Sequence, residues 1–530
     1  MLLFFNACSD DLNVTPKDDD EFLTEQFYSD PIAYKQALAG IYGNLSLTGT
    51  TGSGSSNLQG IDAGTSQYAR TLWYLQDLAA DEPIWSYEND EGGAVKEIQR
   101  NTWSSSNTIL LGFYSRAMFT VALTNEFLRQ ASDDNIEKRG HTSAVGKDIV
   151  AYRAEARLLR ALAYYNLMDL FGKAAFVTEN DPVGTYQGPQ YDRQQLFDFV
   201  QSELHAIEGD LIAPRQNEYA RADKAVAWMI LAKLYLNAKA YDVIVKDVDG
   251  NELNPWNECI TYCSKIIGSG YKLASDYGLN FLADNDSNEA GMNEIIFPLV
   301  NDGVVTENYG ATTVIINGEV GSLENNAAEL GAQGWGGALR VRKQFAEKFL
   351  NGDVPLTDER NTILTAGREI EIVDIGDRDS GYIITKYKNI TSTGAVGVDP
   401  TFVDTDFPMF RLADVYLMFA EAVVRGGSGG TTGEAVELIN ELRVRANSTT
   451  ISSGELNLNF LINERSRELY WEGHRRQDLI RFGLFTGGNY NWVWKGGSPN
   501  GIALPSHFKV YPMPANNMAA NPNLTQNPGY

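Results

Sequence analysis

The chain has 530 residues and carries 69 Asp and Glu against 43 Lys and Arg, a formal charge of −26. An acid surplus of this size repels phosphate backbones and anionic headgroups, which argues against nucleic-acid binding. Three cysteines cannot build a disulfide framework and four histidines leave little for a multi-histidine metal centre, so the fold must hold by packing, with 43% apolar residues to supply one very large core or two to three ordinary ones.

The chain opens MLLFFNACSDDLNVTPKDDDE. Met1–Phe5 is far shorter than the ~20 apolar residues that span a bilayer, and reads instead as the tail of a secretory signal. With Ala7 and then Cys8 it resembles a bacterial lipobox, in which the cysteine becomes the lipidated first residue. Residues 1–8 are therefore read as the end of a signal peptide with its lipobox. Residues 9–30, with Asp10-Asp11 and Asp18-Asp19-Asp20-Glu21, read as an acidic tether without fixed structure. One acyl chain anchors a protein only weakly, so such an anchor needs several.

Helical periodicity follows. In Ala151–Phe171 the residues Leu158, Leu162, Tyr165 and Leu170 recur on one face, with Ala154 and Ala161 permitting close approach. Arg221–Ala238 contains Trp228-x2-Leu231-Ala232-x2-Tyr235, the spacing of a tetratricopeptide first helix with Ala at the small position. Its partner helix is predicted at Trp256–Ile267, after the turn-rich insert Asp247–Pro255. Tyr416, Phe419, Ala420 and Val423 repeat the spacing, with Glu434–Arg445 as second helix beyond the Gly426–Gly430 linker. Each pair leaves an apolar face that only a neighbouring pair covers, which predicts a mainly α scaffold of stacked hairpins, a generic bundle being the alternative.

Between Gly270 and Pro408 the texture changes to Gly, Asn and Asp, with short β-prone runs at Glu294–Val300, Thr312–Ile316 and Tyr382–Tyr387. Leu47–Gly64 is a further open stretch. Long loops on a rigid scaffold carry function, and two features stand out in them. The first is a set of exposed-looking aromatics: Trp85 and Tyr87, Tyr309 before Gly310, and Trp335 in Gly334-Trp335-Gly336-Gly337. A flat ring covers the C–H face of a sugar while Arg, Asn or Asp meet its hydroxyls; the same rings could equally plug the junction between loops and scaffold. The second is oxygen-rich, Asp284–Glu289 and Asp404-Thr405-Asp406 before a helix, which suits either Ca²⁺, an ion wanting about six to eight oxygens, or a solvated turn and a helix N-cap.

Catalytic signatures are absent: there is no Walker loop, H-E-x-x-H, C-x2-C or G-x-S-x-G. His141, His205, His474 and His507 stand in unrelated contexts and read as packing or surface residues, and Cys259 and Cys263, four apart on a helix, as small apolar ones. In Glu464–Gly483 five arginines interleave with Glu464, Glu468, Glu472 and Asp478 at helical spacings, which reads as an ion-paired helix packing on the scaffold rather than a nucleic-acid face.

The segments FPMFRLADVYLMFAEA (Phe407–Ala422), ERSRELYWEGHRRQDLIRFG (Glu464–Gly483) and the ending NLTQNPGY, with RAEARLLRALAYYNLMDLFGKAAF and RADKAVAWMILAKLYLNA earlier, resemble the SusD/RagB family over nearly the whole chain. The resemblance implies a single SusD-like domain over residues 31–530, a tetratricopeptide-like scaffold at about 31–270 and 407–485 with a loop-rich, glycan-facing insert at about 271–406. It also implies a non-catalytic outer-membrane lipoprotein, anchored at Cys8 on the cell surface of a Bacteroidetes bacterium, that binds starch or maltooligosaccharides and serves a SusC-like TonB-dependent transporter. Tyr309 and Trp335 fall where the starch-binding member of the family has its stacking Tyr and Trp, and Arg70 on its hydroxyl-binding Arg; Tyr87 replaces a stacking Trp, Asp90 a hydroxyl-binding Asn, and Trp85 matches a supporting Trp. A structural Ca²⁺ held by Asp286, Glu289, Asp404 and Asp406 is implied as well. The departures at Tyr87 and Asp90 leave another glycan, a fructan or β-glucan, as the nearest alternative cargo; a glycoside hydrolase and a peptide-binding helical scaffold are the alternatives from other classes.

Overall fold

A computed structural model describes residues 24–321 and 326–530. The lipobox with Cys8, and the acidic tether as far as residue 23, lie outside them. Beyond that point the tether reading needs correcting: Thr24–Phe27 forms a helical turn, Glu25 pairs with Arg139, and the Arg139 guanidinium lies 4.7 Å from the ring centre of buried Tyr28. An aromatic with a cation over its face holds the chain to the body there.

The scaffold is a succession of helices, each packed on the next: Ala33–Ser46, Thr108–Gln130, Asp148–Phe171, Arg193–Ile207, Lys224–Tyr241, Pro255–Ile267, Leu412–Val424 and Thr432–Arg445. Their starts are written locally. The Asn107 and Asp223 side chains accept from the first free amides of their helices, Pro255 takes the first helical position after the Asn254 cap, and Thr431 and Glu434 close a capping box. Ala232, Ala420 and Ala422 are buried without remainder, and at such points neighbouring backbones approach closely. Cys259 and Cys263 are buried among them as packing residues, sulfurs 4.0 Å apart.

Pro255–Ile267 and Leu412–Val424 are neighbours in space although 144 residues separate Ile267 from Leu412 (412 − 267 − 1). The intervening chain leaves and returns through a two-stranded antiparallel ribbon, Ile295–Leu299 against Phe407–Arg411, with Leu299 opposite Phe407 and Ile295 opposite Arg411. Two readings are corrected here. Thr312–Ile316 is not a strand but lies in the helix Ala311–Glu319, buried along its whole length; an apolar run hidden on every side has no period to tell strand from helix. Asp404–Asp406 precedes the strand Phe407–Arg411, not a helix. Tyr382–Tyr387 contributes only the two-residue strand Ile383–Ile384, paired with Ile363–Leu364.

The arginine-rich segment is two helices, Leu458–Leu469 and Arg475–Arg481, separated by a turn with Trp471 and Gly473 at positive φ. Both are buried. Arg467–Glu464 and Arg481–Asp478 are pairs within a helix, but Arg465 meets Asp414, Arg475 meets Asp81 and Arg481 meets Glu421, so these ion pairs tie separate elements together.

Candidate functional site

The sequence-predicted site residues fall into two contact groups. Strand Pro83–Trp85 pairs antiparallel with Leu339–Val341, placing Trp85 opposite Leu339. The Gln99 amide clamps the Trp85 backbone from both sides, accepting from its N–H at 2.9 Å and donating to its carbonyl at 3.0 Å. Trp85 is only 2% exposed, which corrects its reading as an exposed ring: it is the floor on which the others stand. Tyr87 packs edge-on to it at 5.8 Å and Trp335 at 6.1 Å, with interplanar angles of 71° and 88°. Tyr87 is 38% exposed and Trp335 is half-buried. The Tyr87 hydroxyl donates to the Trp335 carbonyl at 2.8 Å, and the Trp85 indole N–H donates to Asp90 Oδ2 at 2.9 Å. Trp85, Tyr87, Asp90 and Trp335 therefore form one contact group.

Arg70 and Tyr309 form a second. Arg70 stands on the short helix Tyr68–Trp73, where its Nη1 donates to the Tyr309 carbonyl at 3.3 Å and its Nε to the Tyr74 hydroxyl at 3.0 Å. The Tyr309 ring rests edge-on against Phe402 at 5.1 Å. Behind it is Gly64, where a Cβ would come within 2.8 Å of the Tyr309 side chain.

Helix Ala311–Glu319 joins the groups. Tyr309 immediately precedes its cap Gly310, and at the other end Asn317 accepts from the Trp335 amide at 2.8 Å and from the Gly334 amide at 3.2 Å. Gly310 and Asn317 are seven residues apart, about 10 Å of helix. Tyr74 is a second link: burial holds its hydroxyl above the ordinary range, and the Asp90 and Glu91 carboxylates add to this while Arg70 opposes it. The result is an open ledge rather than a hollow. A hollow of about 1050 Å³ lies elsewhere, lined by Phe27, Tyr28, Gly43, Leu123, Val304 and Val305.

Two participants were missed in the sequence. Tyr74 is four residues after Arg70 on one helical run, a spacing that could have disclosed it. Arg378 donates to the Tyr87 hydroxyl at 3.0 Å across 291 residues of chain, and no local pattern signals that.

The four acids expected to hold calcium make these contacts in the structure. Asp404 accepts from the Gly303 and Val398 amides, both at 2.8 Å, and Asp406 from the Asn301 amide at 2.7 Å and the Tyr219 hydroxyl at 2.5 Å. Burial raises the Asp406 carboxyl to about 7. Asp286 accepts from the Ser287 hydroxyl and Glu289 from the Ser275 hydroxyl. The Asp286 and Asp302 carboxylates add to the rise at Asp406, and among the described residues no three His, Cys, Asp or Glu side chains are grouped to hold a metal ion. His205 lies between the Tyr235 and Tyr262 hydroxyls, His474 is buried, and no helix among the described residues is long and apolar enough to cross a membrane.

Residues 372–530 match the SusD family model. The chain is 36% identical to starch-binding protein SusD of Bacteroides thetaiotaomicron, over 92% of this chain and 91% of that one, and 25% identical to SusD-like protein P25 of Formosa agariphila, over 95% and 92%. Among solved structures it superposes on a SusD homolog from Bacteroides thetaiotaomicron with a TM-score of 0.69, at 19% identity over 96% of this chain and 98% of that one. A laminarin-binding SusD-like protein gives 0.68, at 20% identity over 95% and 100%. These two structural likenesses speak to fold, and the first relative to kinship: this chain belongs to the SusD family.

Proposed function

We propose that the chain is a non-catalytic cell-surface lipoprotein, anchored through Cys8, that captures starch or maltooligosaccharides on this ledge and passes them to a SusC-like TonB-dependent transporter in the outer membrane. The observation that carries the reading is the coupling of two accessible rings, Tyr87 and Trp335, on one buried indole, with Tyr309 and Arg70 tied to the same buried helix. The kinship with a starch-binding protein supports the α-glucan. Anchors about 10 Å apart along a helix call for a ligand longer than one sugar ring, and rings set at different angles suit a curving chain whose successive units turn.

Tyr87, Tyr309 and Trp335 stack against sugar faces, and Arg70 and Asp90 meet hydroxyls. Asp90 accepts from the Trp85 indole with one oxygen, leaving the other to accept from a sugar. That role suits recognition rather than delivery of a proton to a glycosidic bond. Because Asp accepts without donating, a fructan or β-glucan is the reading to test against.

Isothermal titration with maltoheptaose, laminarin and a fructan tests the assignment. Maltoheptaose should release heat, no reducing sugar should appear, and Trp335→Ala should weaken binding roughly 5–30-fold, about 1–2 kcal/mol for a lost stacking ring. Heat with laminarin or the fructan alone would move the cargo to that glycan, and an undiminished signal in Trp335→Ala would remove the ledge from the account.

A further inference from the structure

Arg378 is held where it is by more than its own contacts. The loop that carries it, residues 368–381, is pinned from below by Arg340, a fully buried residue of the strand that pairs with Pro83–Trp85; its guanidinium donates to the carbonyls of Ile375, Asp377 and Ser380. Arg368 adds bonds to the carbonyls of Arg378 itself and Gly381, each 2.9 Å. So the sheet that places Trp85 also places the loop that reaches over Tyr87.

At the ledge, Arg378 Nη1 donates to the Tyr87 hydroxyl at 3.0 Å and lies 3.5 Å from the Trp335 carbonyl, with the guanidinium carbon 5.7 Å from the Tyr87 ring centre. Gly336 is its seat: φ there is +68°, and a Cβ would come within 2.7 Å of Nη1. The phenol of Tyr87 thus gives its one hydrogen to Trp335 and takes another from Arg378. Its ring is fixed, and its hydroxyl has no hydrogen left for a sugar. Asp377 and Asp379 flank it in the chain while Arg340 and Arg368 hold the same loop, so this cation stands among charges of both signs.

We propose that Arg378 is a positioning residue of the ledge, locking the Tyr87 ring against the Trp335 backbone and thereby setting the angle between two stacking surfaces, without itself contacting the ligand. This rests on the ledge being the glycan site.

The test is a double-mutant cycle with wild type, Arg378→Gln, Tyr87→Phe and the double variant, titrated with maltoheptaose or whichever glycan of the panel binds wild type. Arg378→Gln should weaken binding roughly fivefold, and the same change in the Tyr87→Phe background should alter it less than about twofold, since contacting residues couple. In the ligand-free proteins, near-ultraviolet circular dichroism of the Trp85, Tyr87 and Trp335 cluster should change in Arg378→Gln and in Tyr87→Phe alike. A loss that persists undiminished in the Tyr87→Phe background would make Arg378 a ligand contact and overturn the proposal. An unchanged spectrum in Arg378→Gln would overturn it whether or not any glycan binds. Failure of every glycan to bind wild type, with the spectral change intact, would instead remove the glycan reading and leave the locking role standing.

Discussion

Trp85 and Tyr87 stand two residues apart and do different things. Alternation along extended chain puts residues two apart on one side, and just past the strand that ends at Trp85 the Tyr87 ring packs edge-on against the indole. Truncating a buried indole removes its burial and leaves a cavity, so Trp85→Ala should cost about 3–5 kcal/mol of stability and lower the thermal midpoint. Tyr87→Ala, at an exposed ring, should leave that midpoint nearly unchanged while weakening glycan binding; thermal melts beside titrations separate the two. Read as loop aromatics the two looked alike, and only the resemblance set Trp85 apart as a support, since its burial depends on Trp335 and Asp90 closing over the indole.

At the scale of elements, helix Leu458–Leu469 shows how much a charge pattern can and cannot tell. Its Glu468 receives Arg411 from the strand Phe407–Arg411 at 2.7 Å, Arg445 from the helix Thr432–Arg445, and Arg360 from a loop at 3.3 Å. Burial alone would push the Glu468 carboxyl up, but Arg445, Arg411 and Arg360 together hold it below the ordinary carboxylate range. Removing one partner of a buried ionic cluster strands the others, so Glu468→Ala should destabilise by about 3–5 kcal/mol, read as a lower urea midpoint. The interleaved signs identified the ion pairing; they could not say that Arg411, Arg445 and Arg360 would arrive from three other elements. Helix Pro255–Ile267, with one apolar face and an Asn254 cap, was legible from period and cap. Helix Ala311–Glu319, the one that spaces the site, was not, because burial on all sides erases the period.

For the molecule as a whole, acidity enters through groups the fold keeps neutral. His474 is buried, and because the Lys233 ammonium at 3.0 Å can only donate, His474 Nδ1 accepts and the ring proton sits on Nε2. Burial, and next the Lys233 charge, lower its imidazole from 6.5 to about 3. Between those values the unfolded chain takes up a proton that the folded one refuses. Stability from this group is therefore present above about pH 6.5 and falls with decreasing pH, by about 1.4 kcal/mol per pH unit, until the folded ring titrates near pH 3. Urea unfolding of wild type and His474→Gln across this window should show that slope in the first and its loss in the second.

The composition that first excluded nucleic acid is now divided among these parts: acids that clamp loops, such as Asp404, acids that meet buried arginines, such as Glu468, and one at the ledge, Asp90. By itself the sequence determined the helical scaffold and the family, because period, caps and long motifs are local and survive in one dimension. Only the tertiary structure decided that the Trp85 ring is buried, that Asp404 clamps two loop amides, and that Arg378 reaches Tyr87. Each of those depends on partners brought together from distant parts of the chain, and packing, not spacing, sets such meetings.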